Sequence, residues 1–165
     1  QDRPGLVDKL SGWILDSGCN IADSRMMVLG GEFAVLLLVN GNWNSLAKLE
    51  SQLGQTEKQL GMNISVKRTS KKEQRGNLLP YAVDVVALDH PGIVHNLAGF
   101  FSRRSINIQD LSTATYAAAH TGTMMFSVHM ILDVPADTHI ATLREEFLEF
   151  CDRLNLDAVI EPIKG

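Results

Sequence analysis

The period of the apolar positions changes several times along the chain, and each change marks an element. Residues 81–88 (Tyr-Ala-Val-Asp-Val-Val-Ala-Leu) are mostly apolar and β-branched, which predicts a buried strand. Asp89-His90-Pro91-Gly92 interrupts it and opens a helix, because Pro and Gly punctuate the chain at a helix start. Ile93, Leu97, Phe100 and Phe101 then fall at i, i+4, i+7 and i+8, a single helical face, and Arg103 and Arg104 suit the negative end of that helix. After Ser105 the period becomes two. Residues 106–117 and 123–133 predict a hairpin turned around Ala119-His120-Thr121-Gly122. In its second strand Phe126, Val128, Met130 and Leu132 share an oily face, opposite Ser127, His129 and Ile131. Asp137 or Thr138 is expected to start a helix carrying Ile140, Leu143, Phe147, Phe150 and Leu154, and residues 156–163 end the run as a strand. The order is β-α-β-β-α-β, the split βαβ arrangement.

The same unit occurs twice. Asp2-Arg3-Pro4-Gly5-Leu6-Val7 recurs as Asp89-His90-Pro91-Gly92-Ile93-Val94. Without a gap, the offset also pairs Leu10 with Leu97, Gly12 with Gly99, Asn20 with Asn107, Ile21 with Ile108 and Asp23 with Asp110. Self-similarity of this kind is the mark of a duplicated structural unit. In the first copy Leu6, Leu10 and Trp13-Ile14 make the first helix, and residues 19–29 and 32–40 make the hairpin around Gly30-Gly31. Leu46, Leu49, Leu53 and Leu60 stripe the second helix, and residues 62–69 are expected to close the unit as a strand. The opening strand is missing from this copy. That strand is central in the split βαβ order, so the natural chain is expected to carry about ten further residues before Gln1, an ordinary strand with its approach. The expected fold is thus α+β, with two tandem ferredoxin-like βαββαβ domains at 1–69 and 80–165 and a linker at 70–79.

Composition narrows the function. Domains of roughly 80 residues have thin cores and favour a docked neighbour, so a homodimer is expected. With 15 Lys and Arg against 19 Asp and Glu, the formal charge is −4. A protein that grips nucleic acid directly relies on a basic surface, so direct nucleic-acid binding is not expected. The basic cluster Lys67, Arg68, Lys71, Lys72 and Arg75 falls at the linker and reads as a solvated segment. Cys19 and Cys151 form neither a disulfide framework nor a C-x-x-C pair, the pattern of reduced thiols in a cytoplasmic protein. No apolar run of about 18 residues calls for a membrane. His90, His95, His120, His129 and His139 make no metal-binding spacing. Neither a P-loop, a nucleophile elbow nor a dinucleotide fingerprint is present, so neither an enzyme nor a cofactor is expected.

The chemistry concentrates at the Pro-Gly turns. A helix N-terminus offers unpaired N–H groups to a carboxylate, and Gly92 lets backbone approach a ligand. Asp89 is suited to an α-ammonium, with His90 and Ile93 in the same turn, and Asn107 can donate and accept at the edge of the site. Asp2, Gly5 and Asn20 are the first copy's equivalents. The structural alternative stays open for each: Asp as a helix cap, Gly for its backbone, Asn to fix the strand entry.

Asp-x-Pro-Gly-(Ile/Leu)-Val, a helix, and (Ile/Cys)-Asn-Ile-x-Asp entering the next strand resemble ACT domains, in both copies and over essentially the whole chain. A free-standing pair of this size, with Leu143-Arg144-Glu145-Glu146-Phe147-Leu148 and Asn155-Leu156-Asp157-Ala158-Val159-Ile160-Glu161-Pro162 near its end, resembles the bacterial glycine cleavage system transcriptional repressor family. That resemblance implies restraint of a LysR-type activator by protein contact in response to an amino acid, glycine or serine, without independent DNA reading. Asp-Arg-Pro-Gly-Leu is also similar to ACT modules of nitrogen-sensing uridylyltransferases. A ligand-free interaction module and the regulatory module of a nitrogen-metabolism enzyme are therefore the alternatives.

Overall fold

The computed structural model describes residues 1–70 and 76–164, and the chain divides into two compact units, Gln1–Ser70 and Lys71–Gly165. The first contains α1 (Leu6–Asp16), β1 (Asn20–Leu29), β2 (Glu32–Asn40), α2 (Trp43–Ser51) and α3 (Leu53–Leu60). The second contains β3 (Leu78–Leu88), α4 (Ile93–Ser102), β4 (Asn107–Ala117), β5 (Met124–Pro135), α5 (Ile140–Arg153) and β6 (Asp157–Pro162). Of the linker and its basic cluster, residues 71–75 lie outside the described residues.

The second unit is a four-stranded antiparallel sheet of order β4-β5-β3-β6, with the opening strand β3 paired on both sides. Alternation along β3 sends Tyr81, Val83, Val85 and Ala87 to one face, where Val128, Met130, Leu132, Val134 and Ile160 join them. Ile93, Leu97, Phe100 and Phe101 from α4 and Leu143, Phe147 and Cys151 from α5 cover that face. The helical spacing read from sequence thus becomes the packing interface. Phe147 sits at its centre, 5.0 Å from the Phe101 ring and 5.3 Å from Phe100. Outside, Arg104 lies 3.7 Å above the Phe100 ring and pairs with Glu146 at 2.7 Å.

The other face of this sheet is uncovered within the unit and is acidic. Asp84, Asp110, Asp133, Asp157 and Glu161 all point outward by register, and the four strands contain no Lys or Arg. His129 stands among them, its Nδ1 2.6 Å from Asp84.

The first unit has the helix and hairpin but only a two-stranded sheet, β1-β2. Ile14, Cys19 and Leu49 form its small core with Trp13, Ile21, Leu37, Val39 and Leu46. The strand expected over residues 62–69 is absent; this backbone is irregular. The second unit explains why. There the closing strand β6 pairs with β3 alone, and the first unit has no counterpart of β3 to offer a ladder. The single second helix expected in this copy is also broken, because Gln52 ends α2 and begins α3. In the second unit α5 starts later than Asp137 or Thr138: His139 is its N-cap, with Nδ1 accepting the Thr142 N–H at 3.3 Å. Arg68 of the basic cluster is held within the first unit by two bonds to Glu50, of 2.8 and 3.0 Å.

Candidate ligand-binding site

Both Pro-Gly turns have the same geometry. Gly5 at φ 87° and Gly92 at φ 94° are the N-caps, in the left-handed region that a residue with a side chain adopts only with strain. Neither helix receives a side-chain cap, so Asp2 and Asp89 are not caps. Their carboxylates are exposed. Their backbones are anchored instead: the Asp2 N–H donates to Gly31 O at 2.9 Å and the Asp89 N–H to Met124 O at 3.0 Å, each at the hairpin. The first bonds within the helices run from Lys9 to Gly5 and from Asn96 to Gly92, which leaves the N–H groups of the opening turn facing outward. His90 is exposed, with Nδ1 3.1 Å from Pro91 O. Ile93 is a core residue at 2% exposure, so its side chain is not available to a ligand and only its backbone belongs to the turn.

Asn107 and Asn20 lie elsewhere. Asn107 pairs with Asp133 at the far end of β5, its Nδ2 donating to Asp133 Oδ2 at 3.4 Å, whereas Asp89 is tied to Met124 at the near end. Nine residues of strand separate those ends, roughly 30 Å. In the first unit Asn20 pairs with Asn40 while Asp2 is tied to Gly31, the same separation along β2. The reason is topological: each first helix carries the chain back along the sheet before the asparagine strand begins. Each unit therefore places the aspartate-and-amide turn and the asparagine at opposite ends.

Asn20 instead borders a cleft of about 340 Å³ beside α1, with Asp8, Ser11, Gly12, Ile14, Leu15, Cys19 and Ile21. Sequence reasoning missed Asp8 and Ser11 in this role. Gly12 was visible in the repeat, paired with Gly99, and a glycine inside a helical pattern was the signal available. Among the described residues no group of three or more His, Cys, Asp or Glu is placed to hold a metal ion. No helix there is long and apolar enough to cross a membrane.

Two family models match this architecture, an ACT domain over residues 1–67 and an acetohydroxyacid synthase small subunit-like ACT domain over residues 83–146. The chain is a tandem ACT-domain protein whose first domain lacks its opening strand. Within that class it resembles glycine cleavage system transcriptional repressors. It is 28% identical over 162 residues to the repressor of Escherichia coli strain K12, covering 98% of this chain and 85% of the relative. A crystal structure described as a glycine cleavage system transcriptional repressor superposes with a TM-score of 0.76 at 27% identity, covering 99% of this chain and 92% of the other. An unknown protein from Galdieria sulphuraria superposes at 0.78 with 25% identity, covering 99% and 93%.

Proposed function

We propose that this protein is a cytoplasmic, amino-acid-responsive negative regulator of glycine cleavage, acting by contact with a LysR-type activator and not by catalysis. The observation that carries this reading is similarity to the Escherichia coli repressor over 98% of the chain, through both ACT units. The acidic outward face of the second sheet supports protein contact over direct DNA reading, since it repels phosphate. The two half-sites support recognition of a zwitterion: Asp89 for the ammonium, the amides after Gly92 for the carboxylate, and the asparagine of another ACT unit to complete the enclosure. Asp2, Gly5 and Asn20 do the same in the first unit. A homodimer paired through an edge such as β4 would supply the second half.

The test is thermal shift of the full chain against glycine and serine, followed by biosensor binding to the purified activator of the glycine cleavage genes. A ligand at about 100 times its dissociation constant adds roughly 2.7 kcal/mol. Glycine or serine is expected to raise the midpoint in the wild type and less in Asp89→Ala, whose first unit keeps its own site, and to change the affinity for the activator. Absence of activator binding refutes the reading. The wide separation of the half-sites favours one rival, a ligand-free interaction module, which predicts activator binding that no amino acid alters.

A further inference from the structure

The cleft beside α1 is separate from the Pro-Gly turn. Asp8, Ser11, Gly12 and Leu15 line it at i, i+3, i+4 and i+7, so they form one stripe of the helix. Ile14 and Cys19 are buried and make its apolar floor with Ile21, while Asn20 stands exposed at the mouth of β1. Its volume of about 340 Å³ exceeds what a small amino acid needs.

Gly12 lines the cleft without a side chain. Glycine is disfavoured in a helix interior relative to alanine. Nothing in the protein's own packing requires it, because a Cβ at Gly12 would meet no atom within 4 Å. The repeat supplies an internal comparison. At Gly99, its equivalent in α4, a Cβ would lie 3.1 Å from Arg103 Nη1, so the second unit lays a guanidinium over this glycine. The first unit has Asp16 at the corresponding position, and the space over Gly12 is open. A guanidinium thus rests against this helix flank in the second unit, and the same flank is bare in the first.

Charge points the same way. Asp8 is the one carboxylate lining the first-unit cleft, and no Lys or Arg lines it. The Ser11 hydroxyl donates to Asp8 O at 2.9 Å, which leaves its lone pairs for an N–H donor.

We propose that this cleft binds a small primary amine, an amino acid in its zwitterionic form, with the ammonium at Asp8 and the carboxylate at the Asn20 amide. The site rests on the amino-acid-responsive reading given above, and moves the first unit's ligand from the Asp2–Gly5 turn to the flank of α1.

Titration of the full chain with glycine, by calorimetry and by tryptophan fluorescence, tests it. Both tryptophans, Trp13 and Trp43, lie in the first unit, and Trp13 adjoins Gly12, so the optical signal reports this unit. Asp8→Asn and Gly12→Phe are each expected to weaken the fluorescence-detected binding by about tenfold or more, the scale of one charge-assisted contact. Gly99→Ala, at the equivalent position of the second unit, should bind as the wild type does by this signal. Methylamine should compete with glycine, and N-acetylglycine, whose nitrogen is uncharged, should not. If Asp2→Ala weakens binding while Asp8→Asn and Gly12→Phe leave it intact, the cleft is refuted and the amino-acid reading survives. If wild type binds neither glycine, serine nor methylamine, both fall. Should Gly12→Phe change the sedimentation state with glycine affinity unaltered, the cleft seats a second copy and the proposal is overturned.

Discussion

Replacing Gly12 by alanine should stabilise the first unit, because the residue sits inside α1 with helical backbone and open space where the methyl group would go. Glycine costs about 0.8–1 kcal/mol relative to alanine in a helix interior, partly through the greater freedom of the unfolded chain. Discounting for position near the middle of a short helix leaves about 0.7–1 kcal/mol. For a unit of about 70 residues the unfolding entropy near the midpoint is roughly 150 cal/mol/K, so the midpoint should rise by about 5–7 °C. Thermal melts followed by tryptophan fluorescence measure this unit by itself, since the second unit has no tryptophan. Gly99→Ala is the matched control. Its methyl group must displace the end of Arg103, a flexible side chain, so the gain should be smaller and should appear in the second unit only. A midpoint that falls in Gly12→Ala would refute the reasoning, since it would mean that the helix flank is packed against something a methyl group disturbs.

Phe147→Ala removes a fully buried ring from between Phe100 and Phe101 and should cost the second unit about 3–5 kcal/mol, read from urea melts by circular dichroism. Arg104→Ala loses both the Phe100 stack and the Glu146 pair at the surface; about 1 kcal/mol is expected, and Arg104→Lys should not restore it, because an ammonium lacks the planar fork. Burial, with a smaller contribution from Asp152, pushes the Cys151 thiol up to about 12. Its folded value lies above its unfolded one, so its contribution is complete below the unfolded value and is lost as pH rises through about pH 9–12; in urea melts the stability difference between wild type and Cys151→Ala should be constant below about pH 9 and shift against the wild type across that window. A thiol reagent near pH 8 should label Cys151 at the rate of unfolding, and immediate labelling of native protein would contradict its burial.

Much of the fold was legible because the second unit's apolar residues keep their period from strand to helix to hairpin, and the repeat then transfers that reading to the first. The failures have physical causes. Leu46, Leu49, Leu53 and Leu60 keep a helical stripe across Gln52, so the pattern hides the break between α2 and α3. Residues 62–69 alternate like a strand, but alternation describes a face and not a partner, and the partner strand is the one this copy lacks. Extended pairing brings β3 forward to Leu78 through Pro80, where the sequence suggested a linker. The turn residues were recognisable, and so was Asn107. Their separation was not, because sequence distance says nothing of a helix that returns the chain along its own sheet. The cleft needed three-dimensional evidence, namely that one glycine of a repeated pair is covered and the other bare.

The placement of the proposed half-sites at opposite ends of a unit has a consequence for stoichiometry. Were two copies of such a unit related by a twofold axis beside their edge strands, as proposed, the turn of one would meet the asparagine of the other at both ends. Sites made this way come in twos. Occupying the first fixes the alignment that the second requires, so its ligand meets partners already in place. Two bound molecules per pair, and a binding curve steeper than a simple hyperbola, would be built into the path of a ten-residue helix.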